Sequence, residues 1–389
     1  MSEVQILQGS PYYMTEINSI GFALDPSNVP SFLLDWELTK LCNLDCSYCP
    51  VDTVGYDGGH DNSTQHPPLA ECLQSIDFMY EYADLYMQYK KPSQRNVVLN
   101  IYGGESLFHP DILEILKQVR ERYQPYQDRW HLTVTCTTNA IVGPRHWNQI
   151  VPLIDVFTVS YHPENLPKQK EQFKHNILHL QAVNARFKTV IMMHNRPEYF
   201  SDSEEMIAFC KRYGIAHTAK PLDNWQPEWQ YTGEQYNRLK TYWMTPVTAV
   251  QKDRVQAIEE GRACCGGRRL SLNGDLKSNV NFVTRQGFEG WSCSVNWFFL
   301  FVQQLTGAVY TNKDCKVSTT GRVEPLGNVQ EYSKIIDTLR NQLESKTLPV
   351  IKCVKETCRC GFCAPKAQDP AVFRELIFRN VIEDVFVRD

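Results

Sequence analysis

Cys42, Cys46 and Cys49 fall within eight residues, in the pattern CxxxCxxC. Thiols clustered this tightly suit metal ligation better than mutual pairing when the compartment is reducing. Three thiolates on one short loop can each take a corner iron of a [4Fe–4S] cubane. A fourth would saturate the cluster; three leave one iron open, as reactive chemistry requires. Structural zinc is the rival reading, with His60 or His66 as a fourth ligand. About 60 residues downstream, an apolar run over 97–102 ends in Gly103-Gly104-Glu105. Glycines suit a position where backbone must approach a ligand closely.

A second group of cysteines lies near the other end. Cys353, Cys358, Cys360 and Cys363 span eleven residues, with Cys360 and Cys363 as a CxxC. Cys293 and Cys315 bracket a hairpin pattern, and Cys264 and Cys265 are adjacent. A hairpin brings its flanking thiols together and a CxxC adds two more from one turn. A zinc ribbon fits the same inventory. Cys72, Cys136 and Cys210 sit in apolar patterns and read as core. His162, His194 and Lys220 stand at the ends of expected strands, as substrate ligands, proton carriers or plain rim residues. Arg268 and Arg269 read as carboxylate or phosphate ligands, or as a solvated pair.

Alternating elements must position these groups. Strand patterns cover 32–39, 97–102, 132–138, 156–161, 189–194 and 218–222, and are largely apolar, as in strands buried on both faces. Leu69, Leu73, Ile76, Tyr80, Ala83 and Met87 form one helical stripe. Ile112, Leu113, Leu116 and Val119 form another, with Pro110 at its first position. Met206, Ile207 and Cys210 read as a helix capped by Ser203 and ended by Gly214. Six such β–α repeats suit a partial barrel or an open doubly wound sheet, and periodicity does not choose between them. Beyond about residue 262, Cys, Gly and aromatic residues become frequent. Runs at 299–304 and 308–312 around Leu305-Thr306-Gly307 predict a hairpin. Ile335, Ile336, Leu339 and Leu343 predict a helix, and another is expected over 370–387. The polar stretch 53–67 reads as a loop.

The pairing of the two N-terminal motifs resembles the radical S-adenosylmethionine (SAM) superfamily. The first reads Cys42-Asn-Leu-Asp-Cys46-Ser-Tyr48-Cys49, with the aromatic residue typical of that family ahead of the third cysteine. The segment ending in Gly103-Gly104-Glu105 looks like the family's GGE motif. The resemblance covers roughly residues 30–225. It implies an α/β fold, a partial (β/α)6 TIM-like barrel, whose cluster binds SAM at its open iron. It also implies that Gly103, Gly104 and Glu105 meet the methionyl amino group. Tyr48, Asn139, Ser160 and Met193 would complete the SAM site, the last three around ribose and adenine. Bulk at Gly104 should then obstruct SAM and leave the cluster intact.

The C-terminal part looks like the twitch or SPASM extensions of the same superfamily. On that resemblance Cys293, Cys315, Cys360 and Cys363 hold an auxiliary [4Fe–4S] cluster in a small cysteine-rich α+β domain. The distance from Gly307 to Cys315 exceeds the usual SPASM spacing. Cys264, Cys265, Cys353 and Cys358 would make a second cluster or remain spare thiols. The implied layout is an extension over 1–30, a barrel over 31–262, the auxiliary domain over 263–369 and a helix over 370–389.

Of the 389 residues, 42% are apolar and 22% charged, an ordinary globular composition. The net charge of −4 lacks a basic block, which argues against a broad nucleic-acid surface. No stretch reads as a signal peptide or a membrane span, so a cytoplasmic protein is expected. The resemblance implies reductive cleavage of SAM to methionine and a 5′-deoxyadenosyl radical, fed by a flavodoxin- or ferredoxin-type donor. That radical would take hydrogen from the substrate, with the auxiliary cluster assisting oxidation. Redox-neutral epimerisation or isomerisation is the alternative, as is a non-catalytic zinc- or iron–sulfur-binding module. Only about 30 residues precede the first strand, too few for a leader-peptide domain. A small-molecule or nucleotide substrate is therefore expected, ahead of peptide or protein side chains.

Overall fold

The computed structural model describes residues 32–49, 66–90, 95–222, 231–243, 289–293, 295–318, 321–345, 351–353 and 366–367. His60, Cys264, Cys265, Arg268, Arg269, Cys358, Cys360, Cys363, the expected N-terminal extension and the expected helix over 370–387 lie outside these residues. Six parallel strands stand side by side in chain order: β1 (Phe32–Thr39), β2 (Asn96–Gly103), β3 (His131–Thr138), β4 (Val156–Tyr161), β5 (Phe187–Met193) and β6 (His217–Pro221). Parallel neighbours need long crossovers. Here these contain α1 (Leu69–Gln88), α2 (Ile112–Tyr123), α3 (Pro144–Ile150), α4 (Pro167–Ala182) and α5 (Pro197–Arg212), and α6 (Gly233–Trp243) follows β6. The last three crossover helices begin at proline, where the missing N–H costs no intrahelical bond.

The sheet is curled and open, the partial barrel the sequence led us to expect. Cys46, just beyond β1, belongs to one buried cluster with Val190 and Met192 of β5 and Leu222 beyond β6. In a flat sheet β1 and β5 would stand about 19 Å apart, at about 4.8 Å per strand. No hydrogen bonds join β1 to β6, so the curl does not close. One face carries the core: Leu34, Trp36, Leu38, Val97, Leu99, Ile101, Val134 and Phe157 pack with apolar stripes of α1 and α2. Cys72, Cys136 and Cys210 belong to this core.

Alternation puts Asp35, Glu37, Asn100 and Thr135 on the other face. The Asn100 amide donates to Asp35 Oδ1 at 2.6 Å, and the Thr135 hydroxyl donates to Asn100 Oδ1 at 3.0 Å. Burial raises the Asp35 carboxyl above its usual range, opposed by Lys313, Asn100 and Tyr102.

The expected hairpin forms as β8 (Phe299–Gln303) and β9 (Ala308–Tyr310), with Gly307 at φ +67° in its turn. Its place is less local than its sequence. β8 pairs in parallel with β1, and β12 (Gly327–Asn328) follows β9, giving a nine-stranded sheet. Gln303 Nε2 donates to Glu37 Oε2 at 2.8 Å across that junction. Between these strands in the chain lie β10 (Val317–Ser318) and β11 (Gly321–Arg322), which pair with each other in a two-stranded sheet. A smaller sheet has β7 (Ser292–Cys293) between β13 (Ile351–Lys352) and β14 (Lys366–Ala367). The helix α7 (Tyr332–Glu344) buries the four predicted apolar residues and lies against α1.

Two local expectations change. Ser203 is not a cap: it lies inside α5, where its buried hydroxyl donates to the Met192 and Tyr199 carbonyls at 2.9 and 2.8 Å. Pro110 precedes α2, whose N-cap is Asp111. Gly214 does follow α5 in the left-handed conformation, at φ +65°. No helix among the described residues is long and apolar enough to cross a membrane.

Lys90 follows α1 and is buried, with Nζ 5.4–6.0 Å from the ring centroids of Phe32, Tyr86 and Phe298. Among the described residues its ammonium has no hydrogen-bond partner, and burial pushes its pKa down to about 7. Cation–π contact offsets only part of that desolvation. Between about pH 7 and its ordinary value, the unfolded chain holds this proton and the folded chain does not. Stability from this group therefore rises with pH across that window and is lowest below it. Lys90→Met should stabilise the fold at pH 7 by on the order of 2–4 kcal/mol. Denaturant melts at pH 7 and 9.5 should show the advantage shrinking at the higher pH; an equal gap at both would exclude a charge effect.

Candidate functional site

β1 ends at Thr39, and the loop over 40–49 carries the three cysteines at the carboxyl edge of the sheet. That is the edge at which α/β folds place their sites. The Cys49 N–H donates to the Cys46 carbonyl at 3.0 Å, closing a turn through Ser47 and Tyr48. The loop is locked to the end of β2. Gly104 N–H donates to the Thr39 carbonyl at 2.7 Å and Glu105 N–H to the Leu41 carbonyl at 2.8 Å. A Cβ on Gly103 would overlap the Thr39 carbonyl, and one on Gly104 would overlap the carbonyls of Lys40 and Leu41. The glycines are thus required by the cysteine loop's own backbone. Bulk at Gly104 strikes the loop that carries the thiols, which corrects the expectation that it would spare them.

Glu105 is fully buried. Its Oε1 accepts from the Leu107 amide at 3.0 Å and the Thr138 hydroxyl at 2.9 Å, and its Oε2 accepts from the Asn139 amide at 2.6 Å. Burial pushes the carboxyl up to about 7, against the hydrogen bonds from Asn139, Leu107 and Thr138. This carboxylate ties the end of β2 to the end of β3. Asn139 carries the connection onward: its Nδ2 donates to Asn43 Oδ1 at 2.7 Å and lies 3.8 Å from Cys42 Sγ. Asn43 in turn donates to the Ile141 carbonyl at 3.2 Å. Sequence reasoning passed over Asn43, although it sits inside the motif.

A second carboxylate, also missed, holds the other end of the loop. Glu164, three residues past β4, accepts from the Ser47 amide at 2.7 Å and the Ser47 hydroxyl at 2.5 Å. His194 Nε2 lies 3.0 Å from Glu164 Oε1. The Arg196 N–H donates to His194 Nδ1 at 3.0 Å, so the ring hydrogen sits on Nε2 and points at Glu164. Burial works against the Glu164 charge, but the bonds from His194 and Ser47 prevail and bring it down to about 2. The residue pattern His-Pro-Glu just beyond a strand was the available signal.

Tyr48 packs between two imidazoles, its ring stacked on His162 at 5.9 Å and edge-on to His194 at 5.6 Å. Its hydroxyl is 2.8 Å from His162 Nδ1, which is also 3.4 Å from Cys46 Sγ. Burial and the Lys220 cation hold His162 down to about 4, against Glu164. His162, His194 and Lys220 therefore converge beside the cysteine loop. Ser160 is half-buried and opposite Val190 in the β4–β5 register, on the face that carries Cys46's neighbours. Met193 faces the other way, into the main core; Met192 lies with Cys46, Tyr48 and Leu222 instead. A strand's period of two makes that one-residue difference a change of face.

The three thiols share one cluster with Leu44 and Tyr48. Burial pushes Cys42 up to about 11 and raises Cys46 further, and these two are raised again by the neighbouring thiols. Metal binding would displace these protons. Among the described residues, no three Cys, His, Asp or Glu side chains close on a point fit for one metal ion. His66 is engaged by the Thr39 hydroxyl at 3.1 Å and packs on Phe108 and His109. Three thiolates on one short loop are the donor set of a cubane with one open iron; His60, the other histidine considered for zinc, lies outside the described residues.

In the smaller sheet, Cys293 lies opposite Ile351, and the Cys353 N–H donates to the Trp291 carbonyl at 2.7 Å. Cys293 and Cys353 are thereby diagonal neighbours on one face. They pack in one cluster with Trp291, Phe299 and Cys315. The structure brings Cys353 to the pair of thiols the hairpin pattern had singled out.

Compared as a whole sequence, the chain matches no protein-family profile and no curated protein. Similar solved structures do exist. One is anSMEcpe with bound AdoMet, at 15% identity and a TM-score of 0.47, covering 91% of this chain and 99% of that one. A second is anSMEcpe with AdoMet and a peptide, at 15% identity and a TM-score of 0.48, covering 91% and 98%. A third is Streptococcus suis SuiB, at 13% identity and a TM-score of 0.45, covering 82% of this chain and 68% of that one.

Proposed function

We propose that this chain is a radical SAM enzyme with a [4Fe–4S] cluster on Cys42, Cys46 and Cys49. The observation that carries the reading is the interlock of the cysteine loop with Gly103, Gly104 and Glu105 at the carboxyl edge of a curled parallel sheet. When bound, the cluster would supply an electron to SAM at its open iron, and the resulting 5′-deoxyadenosyl radical would take hydrogen from the substrate. The chain's own part is to hold three thiolates in one enclosed loop and to order the groups around them. Asn139, Ser160, Met192 and Lys220 lie at the strand ends where SAM would rest, with Lys220 as the cation for a carboxylate. The polar inner face around Asp35, Asn100 and Thr135 suits a polar substrate, a small molecule or nucleotide. A flavodoxin- or ferredoxin-type donor supplies the electron in the cytoplasm.

The assay is direct. Anaerobically reconstituted, reduced protein should convert SAM to 5′-deoxyadenosine, and changing Cys42, Cys46 and Cys49 together to Ala should abolish the product. Retained cleavage in the triple variant would remove the assignment. Product analysis with metabolite, nucleotide and peptide pools then separates oxidation from isomerisation and identifies the substrate class.

Gly104→Val tests the interlock itself. Its side chain collides with the loop backbone, so iron loading at the N-terminal site should fall at least several-fold. Full iron with impaired SAM binding would mean that the glycine serves the ligand and not the loop.

The auxiliary centre gives a further outcome. Cys293, Cys315 and Cys353 cluster independently of the first site, so the triple variant should retain about four irons and four sulfides, one cubane's content. Cys293→Ala in that background should remove them. Zinc in place of iron would make this a structural zinc unit.

A further inference from the structure

We infer that Tyr48 and His162 form a hydrogen-bond relay to the Cys46 thiolate that raises the reduction potential of the cluster bound there. The inference rests on the radical SAM reading and goes beyond it, because it assigns two side chains of this chain a task at a ligand sulfur.

The three groups form a compact triangle. His162 Nδ1 is 2.8 Å from the Tyr48 hydroxyl and 3.4 Å from Cys46 Sγ, and the Tyr48 hydroxyl is close enough to that sulfur to interact with it. A metal-bound thiolate has no hydrogen and can only accept. Tyr48 has one O–H hydrogen, and a neutral imidazole has one N–H. A charge-assisted bond to sulfur is stronger than a neutral one. An arrangement consistent with all three contacts places Nδ1–H on the Tyr48 oxygen and the Tyr48 O–H on Cys46 Sγ. His162 is then a positioning residue that polarises the phenol, and Tyr48 is the direct donor.

The frame holds this geometry in place. Tyr48 is 9% exposed and flanked by two imidazoles. Glu164 pins Ser47, the residue before it, by amide and hydroxyl. Lys220 adds a cation near enough to act on His162. Hydrogen bonds to cluster sulfurs tune the potential. A donor hydrogen carries partial positive charge, so it favours the reduced cluster, which has one more electron, and raises the potential.

The test uses the full chain, reconstituted anaerobically, with iron and sulfide measured in every sample. Reductive titration is followed through the electron paramagnetic resonance signal that changes on adding SAM, which separates the open-iron cluster from any auxiliary one. Tyr48→Phe and His162→Phe should keep their iron and shift this cluster to a more negative midpoint, with Tyr48→Phe shifting more. His162→Gln, which keeps an N–H, should recover part of the shift. Unchanged midpoints at full iron content would overturn the relay and leave the cluster assignment standing. Loss of iron in all three variants would also overturn it, because the pair would then be needed to build the loop. A wild-type protein with no SAM-responsive signal would overturn the radical SAM reading, and the relay with it.

Discussion

Two backbone hydrogen bonds, from Gly104 to Thr39 and from Glu105 to Leu41, decide where the cysteine loop leaves the sheet. They extend the β1–β2 pairing past the last regular residue, into a region where two chains run too close for side chains. Glycine is the one residue that permits this approach, and it does so at two successive positions. The constraint then propagates. Glu105, placed by its own N–H, turns its carboxylate to the end of β3, and Asn139 there reaches back to Asn43 and Cys42. The first cysteine is therefore positioned by three strands at once.

The two carboxylates that frame the loop do so under opposite electrostatic conditions. Glu105 is fully buried, and its charge survives only against a strong desolvation cost. Glu164 is partly open to solvent and gathers donors from Ser47 and His194, which favour its ionised form. One fastens the loop's entry from the β2–β3 side. The other fastens its exit from β4 and β5. Between them the curl of the sheet is translated into the spacing of three thiols.

The sequence made the strands legible because their apolar runs are long and continuous, and it made the cysteines legible because their spacing is local. It did not reveal how those pieces meet. The GGE segment read as a ligand contact; that its glycines also meet the chain's own backbone is something one sequence cannot show. Met193 and Met192 are chemically alike, and only the strand's register tells which of them faces Cys46. Ser203 offered a cap signal, but Pro197 starts that helix earlier and leaves the hydroxyl to bond inside it. The hairpin was visible from Gly307, whereas its partner β1 lies far outside any local window.

That last pairing bears on the order in which the molecule can be assembled. Residues 33–37 share hydrogen bonds with residues 299–303, and the Gln303–Glu37 contact spans 266 positions of chain. During synthesis the strand that ends in the cysteine loop has β2 on one side and an open edge on the other until the hairpin emerges. Such distant contacts form late, because loop closure must come first. An exposed strand edge invites wrong partners meanwhile. The strand that carries the cysteine loop therefore gains its second neighbour only after residue 303 has emerged, so its final support depends on chain far beyond the loop itself.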